Sequence, residues 1–342
     1  MSKARELAEL GAVYDSGALS NRNLFINSGM EVAQRGTTNG PNTTNGVLVL
    51  DRWYVNASGA SKTLSQESFT IGQTDVPGSP KNYLRLAVAT GNDNCGVHQR
   101  IEDVTILSGK TLNLSFWAKG TNPAGGSFVS SWIQNFGSGG SSTVETEAKS
   151  GIVLTSSWQK FSFSITLPSV SGKTVGAGSY TWVEILRQPA TDSGTSAWTA
   201  DIALPQVELG TEATPFEHRS FGDELAKCQR YFQRLGHGIN ELSIAFGYLY
   251  NNGTKNAATI PVTVPMRSTP SLEGTGNCLE VKANGQEVVL NPSHYTVTYE
   301  ANASQIGIFS DANTHTDIGN NNEIATVTNT STDETIDLDA EL

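Results

Sequence analysis

The chain is 342 residues long, room for one large or two ordinary domains, each able to bury a core. Only 16% of residues are charged, and Gly (34 residues), Ser, Thr and Asn fill the intervals between apolar positions, which is the composition of short strands and tight turns. A net charge of −11 repels phosphate backbones and anionic lipid, disfavours nucleic-acid and membrane-surface roles, and points to neutral partners.

No apolar run approaches the ~20 residues of a membrane span. Met1 to Tyr14 alternates charges with Ala and Leu and has no signal-peptide core, so synthesis in the cytoplasm is expected. Ala4, Leu7 and Leu10 recur at helical spacing over 2–10, a stripe too narrow to be stable alone and in need of a partner such as another copy of the chain. Beyond this the period is two, and strands are predicted at 64–69, 83–88, 97–101, 111–119, 128–136, 161–167, 180–186 and 199–209. In 111–119, Leu112, Leu114, Phe116 and Ala118 share one face while Asn113, Ser115, Trp117 and Lys119 share the other, the pattern of a half-buried antiparallel strand. In 199–209 the apolar parity changes between Ile202 and Val207 with Pro205 in the middle, which predicts a bulge there. The spacing suggests a jelly-roll β-sandwich.

Residues 1–219 carry a net charge of −2 and residues 220–342 one of −9; all six tryptophans precede 220, and ten acids but no Lys or Arg follow Lys282. This asymmetry predicts an N-terminal anchor helix or arm (1–20), a jelly-roll domain (21–219), a linking helix (220–236) and a smaller C-terminal β domain with an acidic tail (237–342). The helix would present Leu225, Cys228, Tyr231, Phe232 and Leu235, begin at a cap from Ser220 or Asp223, and stop at Gly236. Further strands are predicted at 242–250, 258–264, 278–283, 287–290, 295–300, 304–309 and 323–328, with Asn284-Gly285 as a two-residue hairpin turn. The segment 313–342 is polar enough to be partly disordered or extended along a neighbouring chain. Cys95, Cys228 and Cys278, odd in number and far apart, read as buried reduced thiols.

Several strings occur together: Asn21-Arg-Asn-Leu-Phe-Ile-Asn-Ser-Gly-Met-Glu-Val-Ala-Gln-Arg-Gly36, Asp51-Arg-Trp53, Gly109-Lys-Thr-Leu-Asn-Leu-Ser-Phe-Trp-Ala-Lys119, Asp201-Ile-Ala203 and Gln206-Val-Glu-Leu-Gly210. Ala213-Thr-Pro-Phe-Glu217, Arg219 and Glu224-Leu-Ala-Lys-Cys-Gln-Arg-Tyr-Phe232 continue them. In this order they resemble bacteriophage tail-fibre and virion structural proteins, and the last group is similar to fibre-like proteins of marine phages that infect cyanobacteria. The resemblance implies a carbohydrate-binding-module-like jelly roll followed by a variable C-terminal domain. It also implies a non-enzymatic virion protein, a short tail fibre or fibre-tip adhesin that recognises a host-surface glycan, forms a homotrimer and associates with other tail or capsid proteins. A capsid decoration protein or head fibre is the alternative. Long phage fibres begin with a dedicated attachment domain, whereas only about twenty residues precede Asn21 here, so anchoring is expected through that short segment or through another chain. A bacterial surface adhesin is disfavoured by the missing secretion signal.

Protein–sugar recognition sets a flat aromatic face against the C–H face of a sugar, with amides and carboxylates around the hydroxyls. Trp117 is the leading candidate, since it lies on the polar face of its strand, although a second layer or a neighbouring subunit could equally cover it. Trp158 and Trp182 are weaker candidates that otherwise pack, and Trp132 shares parity with Phe128 and Phe136 and reads as core. The resemblance implies one structural calcium ion held by Glu31 and Asp201; the plainer readings are Glu31 paired with Arg35 and Asp201 capping a bulge. A polysaccharide-degrading appendage would need two carboxylates, for which Glu102 with Asp103, Glu145 with Glu147, and Asp201 with Glu208 are available, though such acids in strands are more often solvated surface charge. The five histidines show no metal-ligand spacing, and there is no glycine-rich phosphate loop.

Overall fold

The computed structural model describes residues 21–42, 46–56, 61–90, 95–189, 197–236, 243–250, 255–274, 279–283, 286–290, 292–298, 305–310, 324–329 and 335–342. The helix expected at 2–10, Cys278 and the Asn284-Gly285 turn lie outside them. The chain divides into two compact units, residues 1–224 with Leu342 and residues 225–341. Among the described residues no helix is long and apolar enough to cross a membrane.

The first unit contains β1 (Thr38–Asn42), β2 (Val47–Leu48), β3 (Tyr54–Asn56), β4 (Ser61–Ser68), β5 (Asn82–Thr90), β6 (Gly96–Glu102), β7 (Thr111–Gly120), β8 (Phe128–Asn135), β9 (Val144–Ile152), β10 (Gln159–Thr166), β11 (Tyr180–Arg187) and β12 (Trp198–Leu209). They form two six-stranded antiparallel sheets, ordered β1-β4-β5-β12-β7-β10 and β2-β3-β6-β11-β8-β9, a jelly-roll β-sandwich. The alternation in β7 works as the sequence predicts: Leu112, Leu114, Phe116 and Ala118 join Phe128, Trp132, Val183 and Ile185 in one buried cluster. Trp53, Trp132 and Trp198 are fully buried in it, and truncating such a side chain costs about 3–5 kcal/mol. The edge strand β9 has no fully apolar face and so carries no strand signal; Val144 to Lys149 alternate between half-buried and exposed, and Ile152 at its end is buried.

The bulge at Pro205 is present. The register of β12 against β7 shifts between Ala203 and Gln206, and Leu204 takes φ +50°. Proline lacks the ladder N–H, so pairing yields there and the apolar parity changes sides. Ala200 and Ile202 stay in the main core, while Ala203 and Leu204 enter a second cluster with Val76 and Tyr83 on the other side of the sheet.

The segment before β1 forms no strand among the described residues; the Leu24 N–H donates to the Val207 carbonyl of β12 at 2.8 Å, and side chains satisfy many of its other polar groups. Asn23 and Asn27 are buried. The Asn27 amide donates to the carbonyls of Val32 (2.8 Å) and Asp51 (3.0 Å), and its Oδ1 accepts from the backbone of Glu31 and Val32. Trp53 Nε1 donates to the Asn27 carbonyl at 2.9 Å. Arg219 lies at the centre of this segment's contacts. Its Nη1 donates to the Phe25 carbonyl and to Glu224 Oε1, both at 2.9 Å, and its Nη2 donates to the Asn23 carbonyl and to Glu217 Oε2. Glu217 Oε2 also accepts from the Asn23 N–H at 2.7 Å, and Glu224 Oε2 accepts from the Asn27 N–H.

The linking helix is shorter than expected. α1 (Phe221–Gln229) starts at a cap in which Ser220 Oγ accepts from the Asp223 N–H at 3.1 Å. It ends at a tight turn, Tyr231 N–H to the Cys228 carbonyl, and Phe232–Gly236 is strand β13 instead of helix. Sheet pairing outweighs helical spacing here: β13 pairs with the strand at Ile336–Asp339, and Arg234 forks onto both oxygens of Asp337 at 2.8 Å.

The rest of the second unit is β14 (Ser243–Tyr250), β15 (Lys255–Pro261), β16 (Ser271–Gly274), β17 (Leu279–Ala283), β18 (Gln286–Leu290), β19 (Tyr295–Thr298), β20 (Gln305–Ser310), β21 (Ile324–Asn329) and β22 (Ile336–Asp339). These make a seven-stranded sheet, β18-β17-β21-β14-β15-β20-β19, and a three-stranded sheet, β13-β22-β16. Ala283 pairs with Gln286 across the expected hairpin position. Within the described part of the acidic tail, β21 and β22 each lie between two partner strands, and Ile336 and Leu338 are fully buried. Asp337 and Asp339 between them obscure this apolar alternation.

Two stability predictions follow from buried charge. Arg219→Ala leaves Glu217 and Glu224 buried without their shared cation, which costs about 3–5 kcal/mol. Calorimetry should show the first unit melting on the order of 10 °C lower, and an unchanged melting temperature would refute the central role of Arg219. Glu184, buried on β11, has its carboxyl pushed up to about 8 by desolvation, against the opposing pull of Arg187 at 2.9 Å. Between the ordinary carboxylate value and about 8 the folded state holds a proton that the unfolded state has released, so this contribution to stability is lost as pH rises through that window. Melting temperatures from pH 4 to 9 should show a smaller fall for Glu184→Gln than for the parent; parallel curves would contradict the assignment.

Candidate functional site

The second apolar cluster forms one wall of the candidate site. Trp117 and Trp158 pack half-buried against Val76, Tyr83, Ala203 and Leu204, together with Phe69 and Phe216. Trp158 lies just before β10, its ring 5.2 Å from Phe69 and 5.3 Å from Tyr83. Lys119 Nζ rests over Trp158 at 5.1 Å, so this indole is braced on several sides. Trp117 is placed differently. In the β7–β10 register it stands directly opposite Lys160, and both line a pocket of about 300 Å³ with Ser115, Thr214, Phe216 and His218.

The far wall of this pocket is the 211–220 loop. Glu208 fixes it, accepting from the Thr214 N–H at 2.8 Å and the Thr214 hydroxyl at 2.6 Å, while Gln206 Oε1 accepts from the Glu217 N–H at 2.8 Å. Phe216 meets His218 edge-on at 5.0 Å. Gly78 closes the wall, with φ +84° and the position of a Cβ only 3.1 Å from His218 Nε2. An adjoining pocket of about 330 Å³ shares Phe216 and His218 and is lined also by Glu31 and Lys81.

Trp182 lies elsewhere, on β11 in the second sheet. Its ring stacks on His98 at 3.8 Å, and His98 stacks in turn on Tyr54 at 5.2 Å. Burial, reinforced by Arg100, holds the His98 imidazole well below its ordinary pKa, so it is neutral. Arg100 covers Tyr54 at 4.4 Å and Tyr180 at 5.0 Å. The three sequence candidates therefore separate: Trp117 faces a pocket, Trp158 buttresses the same wall, and Trp182 belongs to a stacked row on the other sheet. Trp132 is in the core.

Glu31 and Asp201 each face basic side chains. Both oxygens of Asp201 accept from Arg85, at 2.7 and 2.8 Å, with Lys119 Nζ at 4.0 Å. Glu31 faces Lys81 at 3.7 Å, and Arg35 pairs with Asp51 instead. A calcium ion needs six to eight oxygens, and Asp201 already faces two cations. Among the described residues no group of three or more His, Cys, Asp or Glu could hold a metal.

The acidic pairs are placed outside the Trp117 pocket, whose lining contains no carboxylate. Asp103 takes φ +61° in a turn and accepts from Thr105. Glu145 pairs with Arg187, and Glu208 is occupied by the Thr214 loop and by Arg22 at 3.8 Å. The participation of Lys160, Thr214, Phe216 and His218 was not foreseen from sequence. Lys160 alone carried a usable signal, because antiparallel pairing of two alternating strands sets it opposite Trp117.

No family model and no curated protein matches the chain. Among solved structures, the enzymatically active domain of tailspike protein 4 of bacteriophage CBA120 is similar at 16% identity and a TM-score of 0.32, over 55% of this chain and 22% of that one. A family 22 carbohydrate-binding module of Clostridium thermocellum is similar at 14% identity and a TM-score of 0.34, over 57% of this chain and 99% of the module. A cyclase of Fischerella sp. TAU is similar at 9% identity and a TM-score of 0.33, over 55% and 96%. The match thus spans about a fifth of that tailspike domain's chain. At these values the likeness carries no ligand or activity to this chain.

Proposed function

We propose that the first unit is a non-catalytic glycan-binding module of a phage virion protein, a short tail fibre or fibre-tip adhesin, with Trp117 as its sugar platform. The observation that supports this reading is the pocket: a half-buried indole opens onto about 300 Å³ beside Ser115, Thr214 and Lys160, with no carboxylate in its lining. An aromatic face with hydroxyls and amines at its margin suits stacking on a sugar ring. The lack of paired acids favours binding over hydrolysis. The virion setting rests on the ordered strings between Asn21 and Phe232. A homotrimer would raise a weak single-site affinity by avidity.

The test is binding to host-surface polysaccharide by the full chain and two variants. Trp117→Ala should lose about tenfold or more in affinity, the scale of a buried aromatic contact. Trp182→Ala, on the other sheet, should bind as the parent does. Because Trp117 also packs, Trp117→Phe serves as the folded control, expected to keep the melting temperature and part of the affinity. Equal loss in the Trp117 and Trp182 variants, or none in either, would reject Trp117 as the platform. Gold-labelled antibody on intact phage should mark the tail appendages; label over the head would reject the fibre role.

A further inference from the structure

The charge around Trp117 says which glycan the pocket takes, an inference that rests on the carbohydrate reading above. In a chain with 33 acids and 22 Lys and Arg, most cations on this side of the first sheet are already engaged. Arg85 is forked onto Asp201, and Lys119 lies near Asp201 and over Trp158. Lys160, and His218 across the pocket from it, differ from these engaged side chains. Both line the pocket, and neither forms an ion pair or side-chain hydrogen bond among the described residues. The Ser115 hydroxyl beside them is likewise without a hydrogen-bond partner there. A Lys ammonium directly across from Trp117 and no carboxylate in the lining leave Lys160 without a counter-ion in this pocket, while Glu31, in the adjoining pocket that shares His218, faces Lys81. In an overall acidic chain, that complement is met by the ligand.

We infer that the pocket binds an anionic sugar residue of an acidic polysaccharide, its ring against Trp117 and its carboxylate between Lys160 and His218. This partner differs from the neutral one that net charge alone suggests, because the net charge of the chain and the charge of one pocket are separate quantities.

The experiment is an array of acidic glycans printed beside their carboxyl-reduced counterparts, probed with the full chain, Trp117→Ala and Lys160→Gln at low and physiological salt. Lys160 is exposed on β10, so its replacement leaves folding unchanged, and a matching melting temperature confirms this. Binding is expected on acidic glycans, weaker on their reduced partners, reduced by salt, and about tenfold weaker in Lys160→Gln, the size of one charge-assisted hydrogen bond. If neutral glycans bind equally well and Lys160→Gln changes nothing, the anionic assignment fails while the carbohydrate reading stands. Acidic glycans held equally by Lys160→Gln would remove the charge recognition from this pocket. Binding to no glycan would overturn both.

Discussion

The buried guanidinium of Arg219 is the constraint from which the candidate site follows. It gathers two main-chain carbonyls and two carboxylates into one cluster, and so fixes the N-terminal segment before β1 to the loop that leaves β12. An oxygen-rich cluster of this kind is the donor set of a hard cation. Here a side chain supplies the positive charge, and its planar fork gives each oxygen a defined direction. The same fork sets the course of the 211–220 loop. Along that loop Glu217 and Arg219 turn into the cluster, while Phe216 and His218, of opposite parity, line the pocket. The wall facing Trp117 is therefore only as well defined as the charge cluster behind it.

The other wall depends on how one sheet buries both of its faces. β7 gives Leu112, Leu114, Phe116 and Ala118 to the sandwich core, and a fully solvated outer face would leave Trp117 exposed. The Pro205 bulge prevents this. By changing the parity of β12 it delivers Ala203 and Leu204 to the outer side, where they meet Tyr83, Trp117 and Trp158. An outer apolar cluster of this size can hold an indole at a fixed angle and still leave part of its face open. Trp158 is the better packed of the two indoles, and Trp117 the one left with space beside it.

The strands of the sandwich were legible because period-two alternation survives wherever one face is buried, as in β7 and β10. The signal failed where physical context reversed it. Leu225, Cys228, Tyr231 and Phe232 recur at helical spacing, yet the chain turns at Tyr231, and β13 takes its partner from residues more than a hundred positions away, beyond the reach of local periodicity. Acidic residues hid Ile336 and Leu338 in the same manner, since Asp337 is tolerated in a buried strand only because Arg234 pairs with it. Within the site, Trp117 was legible from its parity. Phe216 and His218 were not, because no repeat marks a loop whose shape is set by Glu208 and Arg219.

The ordered strings that resemble phage fibre proteins acquire a physical meaning in this arrangement. Asn23, Asn27, Asp51, Trp53, Gln206, Glu208, Glu217, Arg219 and Glu224 all belong to them, and nearly all serve the connection between the N-terminal segment, β12 and the following loop. Buried polar networks of this kind tolerate few substitutions, because removing one member leaves several partners unsatisfied. The pocket is under a looser rule. Lys160 and His218 are exposed and make no internal polar contact among the described residues, so changing them alters the groups offered to a ligand while leaving the network behind the loop intact. A chain built this way can keep one scaffold and change what it recognises, and likeness in the strings is therefore a statement about the scaffold. Specificity has to be read from the residues that the network positions but does not use.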